Sequence, residues 1–271
     1  MADDEEIKYE SLPWIYFKVQ KQEYAISSEA ISSIVLAPDR CEEIPQTHPA
    51  MLGVFVLRGE VIPLLSLRRL FEMRSLEDEE NEMAEMFTAR KNDHINWLSE
   101  FHAAIHEKRP FKLTDDPHKC AFGKWYDNYH TDERKITFHF SQLEEPHEEL
   151  HALATAYANL PKDDDGTMAL ELLEKAEKEY APRVISMLDD AIEIYHAASK
   201  AMVIVLKYCD RLLGLQVDSV QVVKPIGSSL DKVSKEDKKI LNHYIEDLWQ
   251  DDKLGLVRKM NYEKILEVLG C

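Results

Sequence analysis

Short runs of β-branched and aromatic residues, broken by turn formers, occupy residues 13–71: WIYFKV, EYAIS, ISSIVL, MLGVFVL and VIPLLSL. Runs of this length and composition predict strands. The pattern changes at the acidic junction 77–82, and from about residue 83 to residue 200 the apolar positions recur every three or four residues, which predicts helices. Met83, Met86, His94, Trp97, Phe101, Ala104 and Ile105 share one face of the first helix, with Arg90 breaking the stripe. Further helices are expected over about 122–132, 141–159 and 167–200; Pro146 suits a first turn, Thr167 a cap, and Pro182 a kink or division. Four antiparallel helices of this kind suggest a bundle.

Strand chemistry then returns. AMVIVLKY and LLGLQVDSVQVV flank CDR as a hairpin would, and LGLVRKM leads into a terminal helix, NYEKILEVLG. Between them SKEDKKILNHYIEDLWQ reads as helix. An exposed loop accepts a whole domain where its ends lie close together, so a bundle inserted into a β domain accounts for the order β, α, β. The expected fold class is α+β.

Charge narrows the partners. A net charge of -18 repels phosphate backbones and anionic membrane surfaces, which excludes nucleic acid. No apolar run approaches the roughly 20 residues of a membrane span, and the start MADDEEIKYE lacks the basic and apolar regions of a secretory signal, so a cytoplasmic location without membrane insertion is expected. Cys41, Cys120, Cys209 and Cys271 are too scattered for a disulfide framework.

Chemistry concentrates in the helical stretch, where eight of the 11 histidines lie between His94 and His151. The hexapeptide PHEELH, residues 146–151, carries the H-E-x-x-H spacing of zinc peptidases. His147 and His151, four apart on one helical face, suit a shared cation. A peptidase would further need Glu148 as general base, an open coordination position, and a downstream ligand such as Glu171 or Glu174. His94 on the apolar stripe is either a core histidine bonded to a carbonyl or a third ligand. Cys120 stands just ahead of a helix, a place that favours thiolate. One cysteine and three histidines would fill all four positions of a tetrahedral zinc and leave none for water. His118, His130 and His139 read as surface or loop residues.

HINW at 94–97, HKCAFGKWY at 118–126 and PHEELH at 146–151 closely resemble, in order and spacing, the motifs of the chemoreceptor zinc-binding (CZB) domain. That resemblance implies a helical bundle holding one zinc through His94, Cys120, His147 and His151. HPAMLGVFVLRGEVIPLLSLRRLF at 48–71 and RLLGLQVDSVQVV at 211–223 resemble the chemotaxis coupling protein CheW. The second resemblance implies a pair of small β-barrels linking chemoreceptor cytoplasmic tips to the histidine kinase CheA, with Arg58, Ile31 and Ile34 at partner-binding surfaces. Where that family has Asp ahead of the LR run, this chain has Ser66. The combined expectation is a CheW-like double β-barrel, residues 13–75 and 201–271, split by a CZB-like four-helix insert at 83–200. Such a chain is a non-enzymatic adaptor in which Cys120 is the redox-sensing thiol for an oxidant such as hypochlorous acid, or in which zinc itself is the signal. A zinc that only staples the bundle is the alternative. Homodimers through the insert are a further expectation of the resemblance.

Overall fold

The computed structural model describes residues 12–131, 133–161, 166–208, 210–225 and 243–267. The chain divides into two compact units: Glu77–Ser199, and the residues on either side of it.

The flanking unit is built from β1 (Pro13–Val19), β2 (Gln22–Ser27), β3 (Ile31–Leu36), β4 (Met51–Leu57), β5 (Glu60–Ser66) and a short α1 (Leu67–Leu70) before the insert. After it come β6 (Met202–Tyr208), β7 (Arg211–Val217), β8 (Ser219–Pro225), β9 (Ile245–Asp251), β10 (Gly255–Met260) and α7 (Tyr262–Leu266). These strands form two five-stranded sheets, ordered β8-β1-β2-β10-β9 and β3-β6-β7-β5-β4. Each sheet draws strands from both sides of the insert, so neither can be completed by one half of the chain.

Side chains alternate across a strand, and in β1 and β6 both faces are covered. Ile15, Phe17 and Val19 of β1 join Ile204 and Leu206 of β6 in the core shared by the two sheets. Trp14 and Tyr16 pack on the other side with Trp249 and Val257, while Val203 and Val205 pack with Phe55, Ile62 and Leu64. Burial on both faces explains why WIYF and VIVL are continuous apolar runs rather than alternating ones. The edge strands of the first sheet, β8 and β9, are bridged by a side-chain ion pair, Lys224 to Asp251. Arg58 and Gly59 both take positive φ, 53° and 88°, as the two-residue turn of the β4–β5 hairpin requires.

Two expectations are corrected here. LLGLQVDSVQVV is not one strand, because it divides at Asp218 into β7 and β8, which belong to different sheets. Asp218 holds that crossing in place. Its carboxylate accepts bidentate hydrogen bonds from Arg68 at 2.8 and 2.6 Å and a third from the backbone N–H of Gln20 at 2.6 Å. The part of the expected helix that falls on Ile245–Asp251 is strand β9, since Ile245, Leu248, Trp249 and Asp251 turn inward against the sheets; residues 234–242 of that reading lie outside the described residues. Ser66, which replaces the expected Asp, still caps α1 by accepting from the Arg69 N–H, a role both side chains fill.

The second unit has α2 (Leu76–His106), α3 (Ala121–Tyr126), α4 (Arg134–Ala158), and a third rod made of α5 (Thr167–Lys175), a π-helical segment (Ala176–Tyr180) and α6 (Ala181–Ala198). The acidic junction is itself helical: Glu77, Asp78 and Glu79 form the first turn of α2, where the helix dipole favours negative charge. α3 is shorter than expected. α4 begins earlier, at Arg134, so Pro146 lies inside it and is buried instead of opening it. Ile136, Phe140 and Leu143 extend its buried face ahead of the proline, and their burial offsets the roughly 3 kcal/mol an interior proline costs. Gly166, not Thr167, is the cap of α5. Pro182 has no N–H to continue the ladder, and the chain instead bonds the Ala181 N–H to the Ala176 carbonyl five residues back, keeping the rod continuous.

The helices are not all antiparallel. Along α2 and α4, Phe87 meets Phe140, His94 meets His147, and Phe101 meets Tyr157, so these two run parallel. Glu80 reaches His196, Lys91 reaches Asp189 and His102 lies near Glu177, so the third rod runs against α2. The physical reason is the long connection 107–133, which returns the chain to the end where α2 began. His139, expected at the surface, is partly buried and bonds through Nε2–H to the Met187 carbonyl on the third rod.

Asp218→Ala is expected to destabilise the β unit by about 3 kcal/mol, because it strands the buried Arg68 guanidinium without its carboxylate. Urea unfolding followed by tryptophan fluorescence measures this; a change below about 0.5 kcal/mol, the level of ordinary surface substitutions, would contradict it.

Candidate metal centre

The parallel run of α2 and α4 sets His94 beside His147 and His151, and the connection between them supplies Cys120. His94, Cys120, His147 and His151 each offer one ligand atom, and these atoms all lie within 4.8 Å of one another. The three histidines are buried. Phe122 packs on His147 and His94, and Trp97 on His151, so the surroundings are aromatic and dry.

Hydrogen bonds fix how the rings face. His94 Nδ1–H donates to the Arg90 carbonyl at 2.7 Å, and His151 Nδ1–H donates to the Thr114 carbonyl at 3.1 Å. A neutral imidazole that donates at Nδ1 carries its lone pair at Nε2. In both residues Nε2 is buried and without a hydrogen-bond partner. His147 Nε2 lies 3.3 Å from Cys120 Sγ. The sulfur also lies 3.2 Å from the Pro117 carbonyl and accepts from the Gly123 N–H at 3.2 Å, as the cap of α3.

Burial keeps the rings neutral, the form a metal requires. It lowers the pKa of His94, and it takes His151 down to about 4 and His147 to about 2, where neighbouring histidines pull the same way. Cys120 goes against expectation. Burial pushes its thiol pKa up, and the N–H groups of Gly123 and Phe122 pull it back only in part, because a helix start is a weaker influence than desolvation here. A dication in the cluster would reverse that balance.

The donor set fits zinc: one sulfur and three nitrogens, two of the nitrogens with unmet lone pairs. Each unmet buried acceptor costs on the order of 1–3 kcal/mol. A structural zinc contributes roughly 10–16 kcal/mol, ample to offset both. Glu148, Glu171 and Glu174 are all exposed and outside the cluster, so the general base and downstream ligand of the peptidase reading are not at the site. Glu148 is also not in a first turn, since α4 starts at Arg134.

His94 therefore satisfies both readings of its position, bonded to a carbonyl at one nitrogen and free to ligate at the other. His118 and His130 are exposed, with His118 Nδ1 3.1 Å from Asp127. In the β unit, Arg58 is exposed at its hairpin tip, while Ile31 and Ile34 are half-buried and packed against the core. Cys41 is half-buried, and Cys209 and Cys271 lie outside the described residues.

Two contributors were invisible in the sequence pattern. The Thr114 carbonyl accepts from both Trp97 Nε1–H, at 2.9 Å, and His151, and a backbone group leaves no residue-type signal. Gly123 is the other. A Cβ there would sit 1.9 Å from the Pro117 carbonyl oxygen, so only glycine lets the Cys120 loop close against α3.

Residues 94–158 match the chemoreceptor zinc-binding domain family, and residues 13–88 match the CheW-like domain family. A curated relative, the chemotaxis protein CheW of Helicobacter pylori (strain ATCC 700392 / 26695), is 38% identical over 93 residues, which are 34% of this chain and 52% of the relative. The chain thus spans about half the length of that relative. The crystal structure of the scaffolding protein TtCheW from Thermoanaerobacter tengcongensis aligns with a TM-score of 0.39 and 11% identity, over 92% of this chain and 88% of that one.

Gly123→Ala is expected to weaken zinc binding by at least about tenfold while Cys120 itself is unchanged, because the new methyl displaces the loop that presents the sulfur. Competition with a zinc chelator reads this directly, and an unaltered affinity would show that the loop does not position the thiol.

Proposed function

We propose that this chain, which joins a CheW-like domain to a chemoreceptor zinc-binding domain, is a non-enzymatic cytoplasmic adaptor that couples chemoreceptor tips to the histidine kinase CheA and carries a zinc-thiolate switch. The single observation that supports it most is the convergence of four donors with two buried, unpartnered Nε2 atoms, in the segment that matches a zinc-binding family. On this reading His94, Cys120, His147 and His151 are the ligands. Bound there, zinc would hold the Cys120 sulfur as thiolate in a site that burial otherwise keeps protonated.

Hypochlorous acid then reacts at that sulfur: the thiolate loses two electrons and becomes sulfenic acid, and chlorine leaves as chloride. Sulfenic acid is a poorer ligand, so the rings lose a common partner and α2, the Cys120 loop and α4 repack. The reading places the domains at 13–75 with 201–271 and at 83–200. The helical segment is joined covalently at both ends to one sheet, through α1 to β5 and directly to β6, so its repacking can bias the surfaces of that sheet around Arg58, Ile31 and Ile34. Pairing of two chains through the helical segment belongs to the same proposal. A second reading, zinc as a staple only, is favoured by the burial of three of the four donors, since closed sites of this kind contribute folding energy.

Cys120→Ala is expected to abolish stoichiometric zinc binding, measured by elemental analysis of the purified chain; full retention would remove the thiol from the ligand set. In a reconstituted array of receptor, CheA and this chain, hypochlorous acid should change kinase output with wild type and not with Cys120→Ser. No change in either zinc retention or output leaves the staple. Arg58→Glu should reduce co-sedimentation with CheA or receptor by about tenfold, about 1.4 kcal/mol, and an unaffected pull-down would move the partner surface elsewhere.

A further inference from the structure

The buried four do not exhaust the histidines of the helical unit. His102 and His106 stand four residues apart near the end of α2, the same spacing as His147 and His151 on α4. Their ring centroids are 4.2 Å apart, closer than the 4.8 Å between His147 and His151. Solvent separates the two cases, because His102 and His106 are both exposed. From the antiparallel rod, Glu177 brings Oε1 to 4.0 Å from His102 Nε2. That gap is too long for a hydrogen bond. It is slightly wider than the roughly 3.3 Å between two donors on one tetrahedral zinc with bonds of about 2.0–2.1 Å.

We infer that His102, His106 and Glu177 form a second, solvent-facing site for a divalent cation of borderline softness, with zinc as its probe. Two imidazoles at one helical face and a carboxylate from the facing rod supply three protein donors, and water completes the shell. Glu177 lies in the π-helical segment that Pro182 imposes, so the site ties α2 to the one stretch of the third rod with non-α hydrogen bonding. Its donors are more loosely gathered than the buried four, which are the metal-ligating group that lies within 4.8 Å among the described residues. Exposed side chains close the remaining gap by rotation about their own torsions, whereas the buried rings are already held by carbonyls. The exposed site is therefore the weaker one. It fills at zinc concentrations where the buried cluster is already saturated, which gives one chain two zinc ranges. This does not depend on the adaptor reading.

The test is a zinc titration of the full chain, without affinity tag, against a chromophoric zinc competitor. Two equivalents are expected, the second at least tenfold weaker than the first. His102→Gln and His106→Gln should each remove the second equivalent and leave the first, and Glu177→Gln should weaken the second about tenfold. A single equivalent in wild type, or a second that survives in both histidine variants, overturns the site. A second equivalent untouched by Glu177→Gln overturns the carboxylate's place in it. Failure of the buried cluster looks different, as loss of the first, tight equivalent.

Discussion

Two imidazole lone pairs buried among aromatic rings, with no protein hydrogen to meet them, are the constraint around which the helical unit is arranged. A protein interior tolerates such groups only where something answers them. His94 and His151 spend their one N–H on backbone carbonyls, and those bonds aim the unsatisfied nitrogens at the place where His147 and Cys120 also point a donor. A single dication would answer all four at once. Apolar replacements could fill the same volume, but they would leave the Arg90 and Thr114 carbonyls short of the donors they now have.

The parallel run of α2 and α4 follows from the same need. Antiparallel neighbours could be joined by a short turn. Parallel ones require the chain to travel back, and residues 107–133 make that journey. The return path is not idle, because it presents Thr114 to Trp97 and His151, and it delivers Cys120 at the cap of α3. Length that would be a burden in a simple hairpin becomes the source of one candidate ligand and of the carbonyl that orients another.

In the β unit the governing constraint is interleaving. β1 and β2 sit between β8 and β10, and β5 lies between β4 and β7, so strands separated by the whole helical segment are hydrogen-bonded neighbours. The Arg68–Asp218 pair repeats this in side chains, linking α1 before the segment to the β7–β8 crossing after it. A sheet assembled this way commits both halves of the chain to one cooperative structure.

The strands before the insert, the helical stripe and the four converging donors were legible from residue type and spacing, because alternation, a period near 3.6 and scarce soft ligands are local properties of a chain. Pro146 misled, since a proline marks a helix start only when nothing ahead of it gains by being helical, and the burial of Ile136, Phe140 and Leu143 outweighs its missing donor. The split of LLGLQVDSVQVV at Asp218 was hidden because β7 and β8 are separated by that one residue and both are rich in aliphatic side chains, so no run of turn formers marks the crossing. Helix direction, the two carbonyls that set the tautomers, the fit of Gly123 against Pro117 and the meeting of His102 with Glu177 were decided by tertiary structure alone. Each is a relation between distant segments, and side-chain chemistry written along one strand of sequence holds no record of which backbone oxygen it will face.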